Sequence, residues 1–293
     1  MTAPDYAVLL VYAIAVLWLG MHVSRGQDSG SELMLGGRAI PTWAALCSMI
    51  ATELSAATFI GVPHAAYTGD WSYLQLAIGA LAGKWVVARH VIPLYHELQL
   101  VTVYGFLAQR FGPSARRAAA LCFVSGRVLA CGVRLFIAAL ALSAATGIDV
   151  SLAIVACGVL TAIYTVAGSI RSVIWTDVLQ AAVFVVAAAA TLAALLSGPG
   201  DGLAGLWEWA GAGGRRQIFQ LEPVFSLGDG RALGSALIGA FFLTLATHAT
   251  DHDMVQRLLA TRDGRSGSRA LLGSAFFNFP LTLLFLLIGT ALA

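Results

Sequence analysis

Long apolar stretches recur along the whole chain, and they constrain the fold more than any other feature of the sequence. Backbone N–H and C=O groups find no water in lipid, so stretches of this length are predicted to be membrane-spanning helices. Eight are found: residues 6–23, 43–69, 72–94, 116–146, 150–168, 172–197, 231–257 and 269–293. Only 11% of the residues are charged, against about 25% in soluble domains. The sequence therefore predicts an all-α, polytopic protein of the cell membrane, surrounded by lipid.

The arginines between these stretches indicate an orientation. One set of alternate connections carries ten: Arg25, Arg38, Arg110, Arg116, Arg117, Arg171, Arg257, Arg262, Arg265 and Arg269. The opposite connections carry three: Arg215, Arg216 and Arg231. Basic connections stay in the cytoplasm, which predicts an N-terminus on the outside. The formal net charge is only +2, so no nucleic-acid partner is expected.

An acidic residue, Glu53, lies inside the second stretch, about 15 Å from its start at 1.5 Å per residue. Intramembrane ionisable residues are costly and mark functional sites. Two interpretations stay open. In the first, Glu53 pairs with Arg127 or Arg134 and stiffens a packed bundle. In the second, the helix unwinds over residues 51–55, and freed carbonyls with nearby hydroxyls bind a hard cation.

Arg127 and Arg134 are seven residues apart and therefore lie on one face of a helix. They either pair with Glu53 or helix-end carbonyls, or one of them contacts an anionic substrate, since a guanidinium matches a carboxylate through two parallel hydrogen bonds. Gly79 and Gly83 form a GxxxG pattern in the third stretch, which predicts a close contact between two helices.

A cluster of His248, Asp251, His252 and Asp253 lies near the end of the seventh stretch. The two histidines are four residues apart, a spacing that places two metal ligands on one helix face. The HExxH pattern of zinc hydrolases is absent, however. A solvated or gating helix end is the favoured interpretation.

Four segments together resemble the sodium/solute symporter family. Residues 51–75, "ATELSAATFIGVPHAAYTGDWSYLQ", are similar to its broken first core helix, and residues 163–180 contain its Trp-Thr-Asp pattern. Residues 250–263, "TDHDMVQRLLATRD", are similar to its Val-Gln-Arg segment. Residues 101–112 resemble a cytoplasmic segment in which the family usually has Glu where this chain has Gly105.

The resemblance implies a five-plus-five inverted-repeat transporter core with one extra N-terminal helix. The whole chain, 1–293, would be a single transmembrane domain. Its parts would be the extra helix (1–25), the first repeat (42–197), an external loop (198–230) and the start of the second repeat (231–293). The last stretch ends without a polar flank, so we expect a fragment truncated after about eight helices.

The resemblance also implies a Na⁺ site. In the family, Na⁺ lies between the broken first core helix and the eighth, and the matching carbonyls here are those of Ala51 and Leu54. The proline carriers have Asp and Ser at the positions of Glu53 and Ser55. Asp177 matches the Asp of the Trp-Thr-Asp pattern, which some relatives use for cation coupling or a second Na⁺. The hydroxyl ligands belong to a helix that this chain lacks.

The substrate positions of the family differ in this chain. Those that bind a hexose match Thr58, Thr244, Thr247 and Asn278, and none keeps the residue that sugar carriers have, so a hexose is disfavoured. Sialic-acid carriers use an Arg on the third core helix, a role that either Arg127 or Arg134 fits. A small carboxylate is therefore the predicted substrate class.

These observations predict a Na⁺-coupled secondary symporter that imports a small organic solute, and not an enzyme. Two alternatives remain open. One is an intramembrane enzyme that uses Glu53 or the His248–Asp253 cluster. The other is a sensor or structural subunit that has the same fold and does not transport.

Overall fold

The computed structural model describes residues 2–23, 30–166, 168–197 and 202–293, and most of these residues are helical. A 3-10 turn, Gly36–Arg38, and a π turn, Val87–Val91, accompany the α-helices. The α-helices of the described ranges are α1 (Ala3–Val23), α2 (Gly30–Leu35), α3 (Thr42–Glu53), α4 (Ala56–Thr68), α5 (Leu74–Val86), α6 (Ile92–Glu97), α7 (Val103–Phe111), α8 (Pro113–Thr146), α9 (Val150–Val166), α10 (Ile170–Leu196), α11 (Gly202–Ala212), α12 (Leu233–Ala249), α13 (His252–Leu259) and α14 (Gly264–Ala291).

Several of these helices have the length and composition of membrane spans. Among the described residues α1, α8, α10 and α14 each qualify alone, and the bent pairs α3–α4 and α12–α13 raise the number to six. The shorter apolar α9 and the continuous path of α5, the π turn and α6 cover two further predicted stretches. The predicted all-α, multi-pass membrane architecture is confirmed.

The helix of the second predicted stretch is broken beside Glu53. Leu54 and Ser55 have extended backbone angles (φ/ψ of −78°/136° and −147°/171°), and α3 and α4 are bent by 62°. Ser55 caps the new helix, because its Oγ accepts the backbone N–H of Thr58 at 3.4 Å. Hydroxylated residues offer the backbone such alternatives to continued helix. The predicted unwinding within residues 51–55 is confirmed and is located at these two residues.

A second break separates α12 from α13, which are bent by 61°. Asp251 is the N-cap of α13, and its carboxylate accepts the backbone N–H of Asp253 at 2.9 Å. The sequence predicts one span over residues 231–257, whereas the structure divides it into two helices. The physical reason is that an aspartate side chain competes with the helix for backbone N–H groups.

Glycines bring α5 and α12 into close contact. A Cβ on Gly83 would lie 2.8 Å from Thr244 Cβ and 2.9 Å from the Phe241 carbonyl oxygen. Gly79 meets the backbone of α12 in the same way, at Leu237. The close helix contact predicted from the GxxxG pattern is confirmed. It places the C-terminal end of α5 against the last turns of α12.

The predicted external loop, 198–230, contains helix α11 and a segment that folds back onto the bundle. Gln217 accepts the Trp71 backbone N–H at 3.1 Å, and Gln220 Nε2 donates to Asp70 at 2.6 Å. Residues 24–29 and 198–201 lie outside the described residues, and Arg25 is among them. The division of the chain into an extra helix and two repeats stays a prediction.

Candidate cation and substrate site

Three other helices meet the carboxylate of Glu53, the last residue of α3. Lys84 Nζ, on α5, donates to Oε1 at 2.6 Å and to Oε2 at 2.8 Å. His248 Nε2, in the last turn of α12, lies 3.1 Å from Oε1. Asn278, on α14, donates its side-chain N–H to Oε2. The first helix break is therefore the point at which α5, α12 and α14 converge.

Lys84 is the one lysine of the sequence, and its side chain is 2% exposed. Its third contact is with Ser274 Oγ on α14, at 3.1 Å. A buried ammonium keeps its charge only where acceptors and an opposite charge surround it. The sequence suggests Arg127 or Arg134 as the structural partner of Glu53. The structure pairs Glu53 with Lys84 instead, and the available signal was a lone lysine inside an apolar stretch.

Oxygen atoms freed by the break form the second part of the site. Among the described residues, no backbone N–H donates to the carbonyl of Ala51 or of Leu54. Thr58 Oγ1 donates to the Glu53 carbonyl at 3.4 Å and lies 3.4 Å from Ser55 Oγ. Carbonyl and hydroxyl oxygens at a broken membrane helix suit a hard cation such as Na⁺. The residues present therefore fit that ion chemically.

Asp177, on α10, lies in a separate buried cluster. Its Oδ2 accepts the Ser48 hydroxyl of α3 at 2.5 Å and lies 3.2 Å from both Nε and Nη2 of Arg257 on α13. Arg257 Nη1 also donates to Asp253 Oδ1 at 2.6 Å. The predicted cation-coupling carboxylate is thus engaged by a guanidinium and a hydroxyl. Ser48 links this cluster to the helix that ends at Glu53.

The two arginines of α8 have different surroundings. Arg127 forms an ion pair with Asp253 and lies 3.5 Å from Asp251, at the second helix break. Arg134 is exposed and has no ion pair or hydrogen bond to any other described residue. Arg127 therefore binds protein carboxylates, whereas the guanidinium of Arg134 is available.

The threonines predicted to line a substrate site lie along α12. Thr247 Oγ1 is 2.9 Å from His248 Nδ1, so the imidazole is held between this hydroxyl and Glu53. Thr244 is buried, and Gly83 packs against it. Thr247 thus borders the convergence point of the four helices, while Thr244 fills the helix interface beneath it.

The two histidines of the predicted cluster lie on different helices, on either side of the second break. His248 contacts Glu53, whereas His252 packs beside Tyr104 and Phe123, with ring centroids 6.0 and 6.5 Å apart. In the described ranges no three His, Cys, Asp or Glu side chains are grouped as metal ligands. The helix break removes the shared face that the i, i+4 spacing predicted.

Several sodium-coupled transporters are similar to this chain in sequence. The chain is 30% identical to the sodium/sialic acid symporter NanT of Aliivibrio fischeri, over 98% of this chain and 57% of that protein. It is also 30% identical to the sodium/sialic acid symporter SiaT of Proteus mirabilis, over 98% and 58% of the two chains. The human sodium/iodide cotransporter is 27% identical, over 91% of this chain and 41% of that protein. The chain thus spans little more than half the length of the first two relatives.

A solved structure of a Na⁺-coupled sialic acid symporter, in a substrate-bound outward-open state, has the same fold. It superimposes with a TM-score of 0.92 at 29% identity, over 98% of this chain and 60% of that one. The inverted-repeat transporter fold expected from the sequence is confirmed. A profile of the sodium:solute symporter family matches residues 33–289. The chain belongs to the sodium:solute symporter family.

Proposed function

We propose that the protein is a Na⁺-coupled symporter that imports a small organic solute bearing a carboxylate. The observation that carries the proposal is the contact between two helix breaks. Glu53 ends α3 at the first break, and His248, in the last turn of α12, lies 3.1 Å from its carboxylate. Paired broken helices near the middle of the membrane supply free backbone groups for ions and substrates.

The cation part of the proposal assigns Na⁺ to the oxygens beside the first break. The carbonyls of Ala51 and Leu54 would bind it, with the hydroxyls of Ser55 and Thr58 nearby. Each Na⁺ that moves inward would contribute about 2.3 kcal/mol for every 100 mV of membrane potential that it crosses. Glu53 would act beside this site rather than as a bare ligand, since Lys84 balances its charge.

The substrate part of the proposal assigns the carboxylate to Arg134. This guanidinium is exposed and unpaired among the described residues, and it can form two parallel hydrogen bonds with a carboxylate. Two relatives are named for sialic acid, which carries such a group. Asn278 and Thr247, beside Glu53, would contact the rest of the solute. Arg127 is assigned a structural role, because it already pairs with Asp253.

The orientation and the repeat organisation belong to the same proposal. The arginine-rich connections would face the cytoplasm and the N-terminus the outside. Residues 42–197 would form the first repeat, and residues 231–293 would begin the second.

The test is uptake by the purified protein, in the length that the cell makes, reconstituted in proteoliposomes. We expect inward Na⁺ gradients to drive uptake of a carboxylate from a panel that also includes sugars and amino acids. Equal uptake when K⁺ replaces Na⁺ would contradict symport. Preference for an uncharged sugar would contradict the substrate class.

Variants separate the two parts of the proposal. Glu53→Gln and Asp177→Asn should raise the Na⁺ concentration for half-maximal uptake, and an unchanged value in both would count against the cation assignment. Arg134→Lys keeps the charge but loses the two-pronged contact, so it should raise the KM for the solute. The matched control is Arg231→Lys, at an arginine that is 68% exposed.

A further inference from the structure

A cavity of about 660 Å³ opens between α5, the π turn, α6 and the beginning of α14, away from the site around Glu53. Its charged and aromatic lining consists of Trp85, Arg89, Glu97, Asp263, Arg265 and Arg269, together with the buried His96. These residues come from two segments that are far apart in the sequence. The cavity is therefore a product of the tertiary fold.

Close contacts between the two segments give the cavity a defined shape. Ser268 Oγ, on α14, donates to the Ala88 carbonyl in the π turn at 2.6 Å. A Cβ on Gly264 would lie 3.0 Å from Pro93 Cα, so the start of α14 packs directly on α6. A π turn adds a residue to a helical turn, which rotates the residues after it around the helix axis. Arg89 is part of that turn and lines the cavity.

Four of the five charged side chains that line the cavity have no partner among the described residues, and the fifth, Asp263, caps α14. Arg89, Arg265 and Arg269 are exposed and have no ion pair or hydrogen bond to a described residue, and the same is true of Glu97. Asp263 Oδ1 accepts the Ser266 backbone N–H at 2.7 Å. His96 is already engaged, because its ring nitrogens lie 3.1 Å from Arg38 and 3.2 Å from the Leu258 carbonyl.

The cavity lies where both helices pass from polar to apolar sequence. Trp85 is 56% exposed beside the arginines, and aromatic and basic side chains of this kind mark the headgroup level of a bilayer. Basic pockets between membrane helices at this level bind lipid headgroups. Here two carboxylates accompany three guanidinium groups, so the complementary headgroup carries both a phosphate and a cation.

We propose that this cavity binds the headgroup of one phosphatidylethanolamine molecule. The phosphate contacts Arg89, Arg265 and Arg269, and the ammonium contacts Glu97 and Asp263. The acyl chains lie along the apolar surface beside Trp85. A phosphatidylglycerol headgroup satisfies the arginines but leaves the two carboxylates without a cation. The inference is independent of the transport function and survives if that proposal fails.

The test is native mass spectrometry of the purified protein, in the length that the cell makes, released from detergent with phosphatidylethanolamine, phosphatidylglycerol or phosphatidylcholine. We expect the protein to retain one phosphatidylethanolamine molecule, and the lipid concentration needed for this should be at least about threefold lower than for the other two lipids. Arg89→Gln/Arg269→Gln should weaken its retention about tenfold. Glu97→Gln should remove the preference over phosphatidylglycerol while retention of the anionic lipid persists.

The control is Arg116→Gln/Arg117→Gln on α8, which makes the same change of charge at two exposed arginines outside the cavity. Helical circular dichroism establishes that each variant is folded. The proposal is overturned if wild-type protein retains phosphatidylcholine or phosphatidylglycerol equally well, or if the Arg89/Arg269 variant matches the control. Displacement of the lipid by inorganic phosphate at equal concentration would also overturn it, because the site would then take a free anion.

Discussion

Replacing Lys84 by methionine tests the ion pair on which the site around Glu53 is built. The change removes N–O contacts of 2.6 and 2.8 Å to Glu53 and of 3.1 Å to Ser274, while a side chain of similar length fills the space. His248 and Asn278 still contact the carboxylate, but neither brings a fixed charge. Loss of one partner from a buried pair costs about 3–5 kcal/mol, and we expect the lower end of that range.

The informative comparison is a double-mutant cycle. Glu53→Gln removes the charge that Lys84→Met leaves behind, so the double variant should be more stable than Lys84→Met alone. We expect a coupling energy of about 2–3 kcal/mol between the two positions.

Thermal unfolding in detergent, followed by circular dichroism, measures these differences. The single Lys84→Met variant should lose about 6–12 °C in Tm, for a loss of about 3 kcal/mol at about 2–4 °C for each kcal/mol. Arg231→Met is the control: its guanidinium is 68% exposed and 3.5 Å from Asp229, so its loss should cost less than about 1 kcal/mol. If the losses of unfolding free energy in the two single variants add up to that of the double variant within about 0.5 kcal/mol, Lys84 and Glu53 do not stabilise each other and the reasoning is refuted.

Two further predictions concern the helix packing and a helix cap. Gly83→Ala should destabilise the protein by about 1–3 kcal/mol, because the new Cβ would lie 2.8 Å from Thr244 Cβ. The control Gly239→Ala adds a Cβ in open space and should stabilise the protein by up to about 1 kcal/mol. Equal Tm changes in the two variants would contradict the close contact. The hydrogen bond from the Ser266 backbone N–H lowers the pKa of Asp263 below its ordinary value. The ionised cap therefore stabilises α14 fully at any pH above the ordinary pKa of an aspartate, and this stabilisation is lost as the pH falls through the lowered pKa of the folded protein. Asp263→Asn should reduce the fall of Tm at acidic pH, and an unchanged dependence of Tm on pH would argue against the cap.

The membrane-spanning helices were predictable from short windows of sequence. Apolar stretches of this length must be helical, because lipid offers no partner for backbone polar groups. The break after Glu53 was one of two interpretations that the local residues left open, and the resemblance to the symporter family favoured it. The break at Asp251 was missed, although an aspartate beside a histidine and a threonine carries the same local signal.

The partners of Glu53 were not predictable, because they are distant in the sequence. Lys84 is 31 residues away, His248 195 and Asn278 225. Arg127 and Arg134 were the candidate partners because their charge and their seven-residue spacing are visible in the local sequence. Which helices approach Glu53 is not visible there.

The sequence by itself determined that the chain forms membrane-spanning helices, since this depends on the properties of consecutive residues. Only the tertiary structure decided which charges meet. That outcome depends on the rotation and separation of α5, α12 and α14, which are set by packing at Gly79 and Gly83 and by hydrogen bonds such as that of Ser268 to Ala88. A buried charge selects its partner through distances of about 3 Å, and such distances are defined only when the whole bundle is assembled.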